Sequence, residues 1–65
     1  MVKVVDFWDV VMLNGYHNVR IKSHSTDEVL AFFDSSEGLE KSGYSDYKIK
    51  HFATDWNSKT YILFV

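Results

Sequence analysis

The sequence contains no cysteine, and this absence excludes two kinds of small domain. Without cysteine, the chain has neither a disulfide framework nor a thiolate metal site. No apolar run approaches the roughly 18 residues of a membrane span, and the N-terminus lacks a signal-peptide pattern. We therefore expect no membrane association, and we expect the reducing cytoplasm as the compartment.

Motifs that carry catalysis are also missing. With only three glycines, the chain has no glycine-rich phosphate loop, and it has no nucleophile elbow. The separations of His17, His24 and His51 do not match a common zinc signature, so packed or surface histidines are expected. Asp6 and Asp9, three apart on a predicted strand, should point to opposite faces. We expect no enzymatic activity, no catalytic residue, no cofactor and no metal.

The net charge of −2 is too small to define a class of partner, but the charges are unevenly distributed. The segment from Asp27 to Glu40 holds five acids and no base, and bases occupy the predicted strands on both sides of it. Solvated charge on both faces is the simplest interpretation. The alternative is a domain that is acidic on one side and basic on the other.

Aromatic residues make up 17% of the 65-residue chain. A chain of this length allows one domain, residues 1–65, with a small core and marginal stability. Aromatic side chains help such a chain because each one buries a large apolar area.

The dipeptide Asn14-Gly15 lies between two apolar-rich runs. Such a pair is the strongest short-range signal for a two-residue β-hairpin, because both turn positions require positive φ. This predicts a first strand from Met1 to Leu13 and a second from Tyr16 to Lys22. In that register one side carries Trp8 and Val10 towards the core. The other side carries the remaining apolar residues with Asp9 opposite Arg20; those apolar residues are Phe7, Val11, Leu13 and Tyr16.

The second half of the chain predicts a helix and two more strands. Ser25 and Glu28 match a capping box, and the apolar spacing after them predicts a helix over 27–37, ended by Gly38. Alternation predicts a third strand from Tyr47 to Thr54 and a fourth from Thr60 to Val65. A two- or four-residue loop between these strands places Phe52, Tyr61 and Leu63 on one face and Ile49, Ile62 and Phe64 on the other. A three-residue loop would reverse the fourth strand, and the first arrangement is favoured.

These elements predict an α+β fold of order ββαββ, with one helix packed on one face of a four-stranded mixed sheet. The two most apolar strands suit the centre and the charged strands suit the edges, which gives the spatial order 2-1-4-3. A sheet of order 1-2-3-4 and an obligate dimer are the alternatives. The arrangement is β-grasp-like, and its element order, its size and the segment Asp55-Trp56-Asn57-Ser58-Lys59-Thr60 resemble small immunoglobulin-binding domains of bacterial surface proteins. The resemblance implies a fold and no immunoglobulin binding.

Aromatic and aliphatic residues mixed with scattered charges are typical of binding surfaces. The sequence predicts such a mixture on the sheet face that the helix leaves open. The predicted partner-binding residues are Phe7, Val11, Leu13, Tyr16, Arg20, Lys22, Lys50, Phe52 and Tyr61.

The expected function is non-enzymatic binding of another protein through this open face. Small chains without catalytic groups are often phage or mobile-element proteins that inhibit or redirect a host protein, and we expect this kind of role. Two alternatives stay open. One is a single-stranded nucleic-acid-binding protein that uses the basic and aromatic residues of the face. The other is a structural homodimer that buries the face.

Overall fold

Two parallel strands form the centre of the sheet. In the computed structural model, which describes residues 2–65, β1 (Asn18–Lys22) pairs in parallel with β4 (Thr60–Phe64). β2 (Val29–Phe33) is antiparallel to β1, and β3 (His51–Asp55) is antiparallel to β4. The strand order is β2-β1-β4-β3. The predicted α+β class and the predicted order 2-1-4-3 are therefore confirmed.

Two helices accompany the sheet within residues 2–65. α1 (Val4–Leu13) precedes the first strand, and α2 (Ser36–Lys41) lies between β2 and β3. The order ββαββ is thus present from β1 to β4, with an additional helix in front of it. The residues that form several of these elements differ from the predicted ones.

The predicted first strand is wrong, because α1 takes its place; Met1, where that strand was to begin, lies outside the described residues. Four apolar side chains recur at the helical spacing of three and four, namely Val4, Phe7, Trp8 and Val11. Val4 and Val11 are fully buried, and Phe7 and Trp8 pack against the core. The β-branched and aromatic residues favour a strand, but one continuous apolar stripe on a helix buries them better.

The predicted Asn14-Gly15 hairpin is likewise wrong, since these two residues end α1. Gly15 has φ +80, and its N–H donates to the Met12 carbonyl at 3.1 Å. The Tyr16 N–H donates to the Val11 carbonyl at 3.1 Å, which completes a Schellman motif. A type I′ turn and this helix cap both require a residue at positive φ, so the dipeptide alone fits either structure.

The predicted helix over 27–37 is also wrong, because its apolar half forms the edge strand β2. The Ser25–Glu28 capping box does not form; the Ser23 N–H instead donates to the Glu28 carbonyl at 2.8 Å and closes the loop before β2. The helix starts later, at α2, where the Ser35 Oγ accepts from the Gly38 N–H at 3.2 Å. Because α1 already packs beside this sheet, the Val29–Phe33 segment extends it as a strand.

The core lies between α1 and the sheet. Val19 and Ile21 of β1 are fully buried, as are Leu63 of β4 and, at 1% exposed, Leu39 of α2. Val19 and Ile21 were predicted to face away from Arg20 and Lys22, and the burial alternation along β1 agrees. Tyr61 and Ile49 complete the core.

The predicted grouping of the last hairpin is confirmed for β3 and β4 but wrong for Ile49, which lies in the core rather than with Ile62 and Phe64, and the core is on the side opposite to the predicted one. Asp55 pairs with Thr60 across a four-residue loop, and Phe52 pairs with Leu63. Phe52, Tyr61 and Leu63 therefore share a face, as the four-residue loop predicts. This face is the buried one, because α1 packs against it.

Replacing each of two adjacent valines in α1 by alanine tests this helix. We expect Val11→Ala to lower the free energy of unfolding by about 2 kcal/mol, since it removes buried methyl groups and leaves a cavity. Val10 is 38% exposed, so Val10→Ala should change it by less than about 1 kcal/mol. Urea denaturation followed by circular dichroism measures both.

The two variants control for each other, because valine-to-alanine substitution changes helix propensity equally at both positions. The predicted hairpin register instead places Val10 in the core. A larger loss of stability for Val10→Ala than for Val11→Ala would therefore restore the hairpin and contradict α1.

Candidate functional site

The helices pack on one side of the sheet and leave the other side uncovered. We call this uncovered side the open face. It is defined by the strand residues that alternate with the buried ones, of which seven matter here: Arg20, Lys22, Phe32, His51, Ala53, Ile62 and Phe64.

One row of neighbours crosses the open face at the middle of the strands. Phe32 pairs with Arg20, Arg20 with Ile62, and Ile62 with Ala53. Phe32 is 51% exposed, whereas Arg20 and Ile62 are half-buried. Arg20 therefore lies between apolar residues in this row and takes part in no ion pair found among residues 2–65.

A second row lies nearer the ends of β1 and β4. The Lys22 Nζ is 5.6 Å from the centre of the Phe64 ring and 3.0 Å from the Asp27 carboxylate. The His51 ring stacks on Phe64 with centroids 4.2 Å apart, and the His24 ring lies 5.3 Å from His51. The charged and aromatic groups of this row already contact other residues of the chain. The row therefore suits the margin of a binding contact better than its centre.

The aromatic residues that were predicted to anchor a partner lie on the helix side instead. The centre of the Phe7 ring is 5.2 Å from that of Phe52 and 5.4 Å from that of Tyr61. The Tyr16 ring meets the Tyr61 ring edge-on at 4.5 Å. Val11, another predicted contact, is fully buried. The first hairpin assigned Phe7, Val11 and Tyr16 to the open face and the last hairpin assigned Phe52 and Tyr61 to it, but the packing of α1 makes this the covered face.

The other four predicted binding residues are placed differently from one another. Arg20 and Lys22 lie on the open face as predicted. Leu13 is 86% exposed at the end of α1, away from the sheet rows. Lys50 is exposed just before β3, where its N–H donates to the Phe64 carbonyl at 2.8 Å. The predicted nine therefore do not form one surface.

Sequence reasoning missed Phe32, Phe64 and His51 as open-face residues. A signal for Phe32 was present in the sequence, because Val29–Phe33 is rich in the β-branched and aromatic residues that favour a strand. Phe64 and Ile62 were grouped together correctly but were assigned to the core. Nothing in the sequence distinguishes the two faces of β4, because both are apolar.

The outer edge of β2 adds a second unusual feature. β2 is at the end of the sheet, so no strand within residues 2–65 pairs with its outer side. Its five residues are all apolar, and three are well exposed: Val29 at 59%, Leu30 at 39% and Phe32 at 51%. Phe32 belongs to both features, so the edge and the open face form one continuous surface.

Two grooves lie on the helix side. One of about 510 Å³ between α1 and α2 is lined by apolar and polar residues and by three acids, Asp6, Asp9 and Glu40. Asp6 and Asp9, predicted to point to opposite faces, line the same groove because residues three apart on a helix are neighbours. The other, of about 400 Å³, lies beside Phe7 and Lys50.

Residues 2–65 contain no group of three or more histidine, aspartate or glutamate side chains arranged to hold a metal ion. None of the helices in this range is long and apolar enough to cross a membrane.

Comparison with protein-family models, with curated proteins and with solved structures gives no match, so the functional proposal for this chain is based on the surface itself.

Proposed function

We propose that this chain is a non-enzymatic binding domain that holds another protein on its open face. The observation that carries the proposal is the row in which Arg20 lies between Phe32 and Ile62 on a sheet face that the helices leave uncovered. Arginine and aromatic residues are the types most enriched where binding energy concentrates. Lys22 and His51 would form the polar margin.

The exposure of the apolar residues on the open face favours a role in binding over a role in the core of the fold. Phe32 keeps half of its surface exposed to water. Exposed apolar groups that are continuous with each other, rather than scattered, mark interaction sites. The open face joins the exposed edge of β2 through Phe32, so a partner could contact both.

The role of a small inhibitor or adaptor from a phage or mobile element, acting on a host protein, fits such a binding domain. We propose the cytoplasm as its compartment, since a chain without cysteine suits a reducing environment. Both statements depend on size and composition rather than on the geometry of the site.

Photo-crosslinking from two phenylalanine positions tests which face meets the partner. Phe32 and Phe52 are both 51% exposed, but they lie on opposite sides of the sheet. We expect benzoylphenylalanine at position 32 to give covalent adducts with a protein in the cells that express this chain. The same group at position 52 should give few, because that side is occupied by α1. Gel electrophoresis and mass spectrometry measure the adducts.

A charge change on the open face supplies the control for that experiment. Arg20→Gln should reduce the adducts from position 32, while Lys48→Gln, an equal change of charge at an exposed residue outside the sheet, should leave them unchanged. Adducts from position 52 alone, or equal adducts from both positions, would contradict the proposal.

Single-stranded nucleic acid is a second candidate, favoured by the pairing of Arg20 and Lys22 with Phe32 and Phe64 on one face. In such complexes the nucleobases stack on exposed aromatic rings, and lysine and arginine side chains contact the phosphates. Against it, Lys22 is already paired with Asp27 at 3.0 Å, and the net charge is negative. We therefore rank it below protein binding.

The salt dependence of binding separates the two candidates. If Arg20 and Lys22 each contact a phosphate, the affinity for a single-stranded oligonucleotide should fall about sevenfold between about 50 and about 200 mM salt. Fluorescence anisotropy with a labelled oligonucleotide measures this. For a protein-binding face we expect no saturable binding of the oligonucleotide at either salt concentration, and binding with the expected slope would favour nucleic acid.

A further inference from the structure

We infer that the partner contributes an extended segment that pairs with the outer edge of β2, and that this segment is apolar with a basic residue near each end. The inference rests on the proposed binding function and specifies the chemistry of the partner. Strand addition of this kind obtains affinity from main-chain hydrogen bonds and specificity from the side chains that flank them.

The composition of β2 makes its edge competent for pairing. Edge strands usually carry charged residues or proline that prevent another chain from adding to the sheet. The sequence Val29–Phe33 contains neither, and Val29, Leu30 and Phe32 are exposed on it. A fifth strand would cover these apolar side chains and satisfy the unpaired main-chain groups of the edge.

The charges around β2 define what that strand should carry. Glu28 precedes the strand directly and Asp34 follows it directly, and both are exposed. The neighbouring acids are already compensated, since Asp27 pairs with Lys22 at 3.0 Å and Glu37 pairs with Lys41 at 2.8 Å. Neither Glu28 nor Asp34 takes part in the ion pairs found among residues 2–65. An added strand with lysine or arginine at its two ends would complement them.

The same two acids disfavour a second copy of this chain as the occupant. Two antiparallel β2 strands related by a two-fold axis at Ala31 would place Glu28 of one copy opposite Asp34 of the other, twice. Like charges directly opposite each other destabilise a strand pair. The bulge at Leu30, between the Ile21–Ala31 and Lys22–Val29 pairs, twists one end of the edge, and any added strand must follow this twist, whether it comes from a second copy or from another chain. A different chain with basic residues at its two ends avoids both repulsive contacts between Glu28 and Asp34.

A set of four charge variants tests this edge without knowledge of the natural partner. In the two-fold arrangement the wild type repels itself at both ends, and so does Glu28→Lys/Asp34→Lys. The single variants Glu28→Lys and Asp34→Lys each place opposite charges at both ends. We expect the single variants to dimerise with dissociation constants at least about tenfold lower than those of the wild type and the double variant. Sedimentation velocity over a wide concentration range measures this.

Two results would overturn the inference. If all four proteins stay monomeric at the highest concentration, the edge of β2 does not pair. If the wild type dimerises as strongly as the single variants, the acids do not select the occupant and the second copy takes the place of the basic segment. Far-ultraviolet circular dichroism of all four confirms that each is folded.

Synthetic peptides then test the chemistry of the segment. The probe has five alternating valine and threonine residues with a lysine at each end, and its control has glutamates instead. By nuclear magnetic resonance of the labelled chain, we expect the lysine peptide to shift the amides of β2 and to leave the other edge strand, β3, unchanged. The glutamate peptide should bind at least about tenfold more weakly, and Glu28→Lys/Asp34→Lys should reverse this preference.

The outcomes separate this inference from the proposed function. If position 32 crosslinks to a protein but neither peptide shifts the amides of β2, strand addition is wrong and binding on the open face stands. If position 32 gives no adduct, the proposed function itself is wrong. Equal binding of both peptides would contradict the requirement for a basic residue near each end of the segment, but it would still show that the edge of β2 binds an extended chain.

Discussion

The packing of α1 against one side of the sheet is the constraint on which the rest of the structure depends. The Phe7 ring contacts both Phe52 and Tyr61, with centroid distances of 5.2 and 5.4 Å, and Val4 and Val11 are fully buried. A short chain has little apolar area to bury, so a helix that contributes two core side chains and packs two more against the core decides which face of the sheet becomes the interior. The opposite face is then left to solvent and to partners.

This choice explains why the two faces of β4 differ in role although both are apolar. Tyr61 and Leu63 enter the core, while Ile62 and Phe64 remain half-buried on the open face beside Arg20 and Lys22. The six-residue α2 adds Leu39 to the core but does not reach the open face. The surface proposed for binding is therefore a consequence of how the core forms. β2 contributes none of the fully buried core residues and forms the edge of that surface.

Several features of the fold could be predicted from the sequence because they depend on local chemistry. The alternation of Val19 and Ile21 with Arg20 and Lys22 gives a strand whose faces differ in polarity, whatever the strand pairs with. The turn residues after Asp55 predict the last hairpin, and its register follows only once the loop length is known. By contrast, the order 2-1-4-3 was predicted from apolar strands in the centre and charged strands at the edges, whereas the structure has the charged β1 in the centre and the apolar β2 at an edge.

The sequence by itself thus determined the α+β class and the presence of the last hairpin, while the predicted order 2-1-4-3 is formed with other segments as its first two strands. Only the tertiary structure decided between helix and strand for Val4–Leu13 and for Val29–Phe33. Both segments are rich in β-branched and aromatic residues, so local propensity favours a strand in each, and an apolar stripe at helical spacing is present in each as well. In the structure the first packs on the sheet as a helix and the second extends the sheet as its edge strand. Non-local packing of this kind overrides local preference, and it also decides which side of the sheet is open.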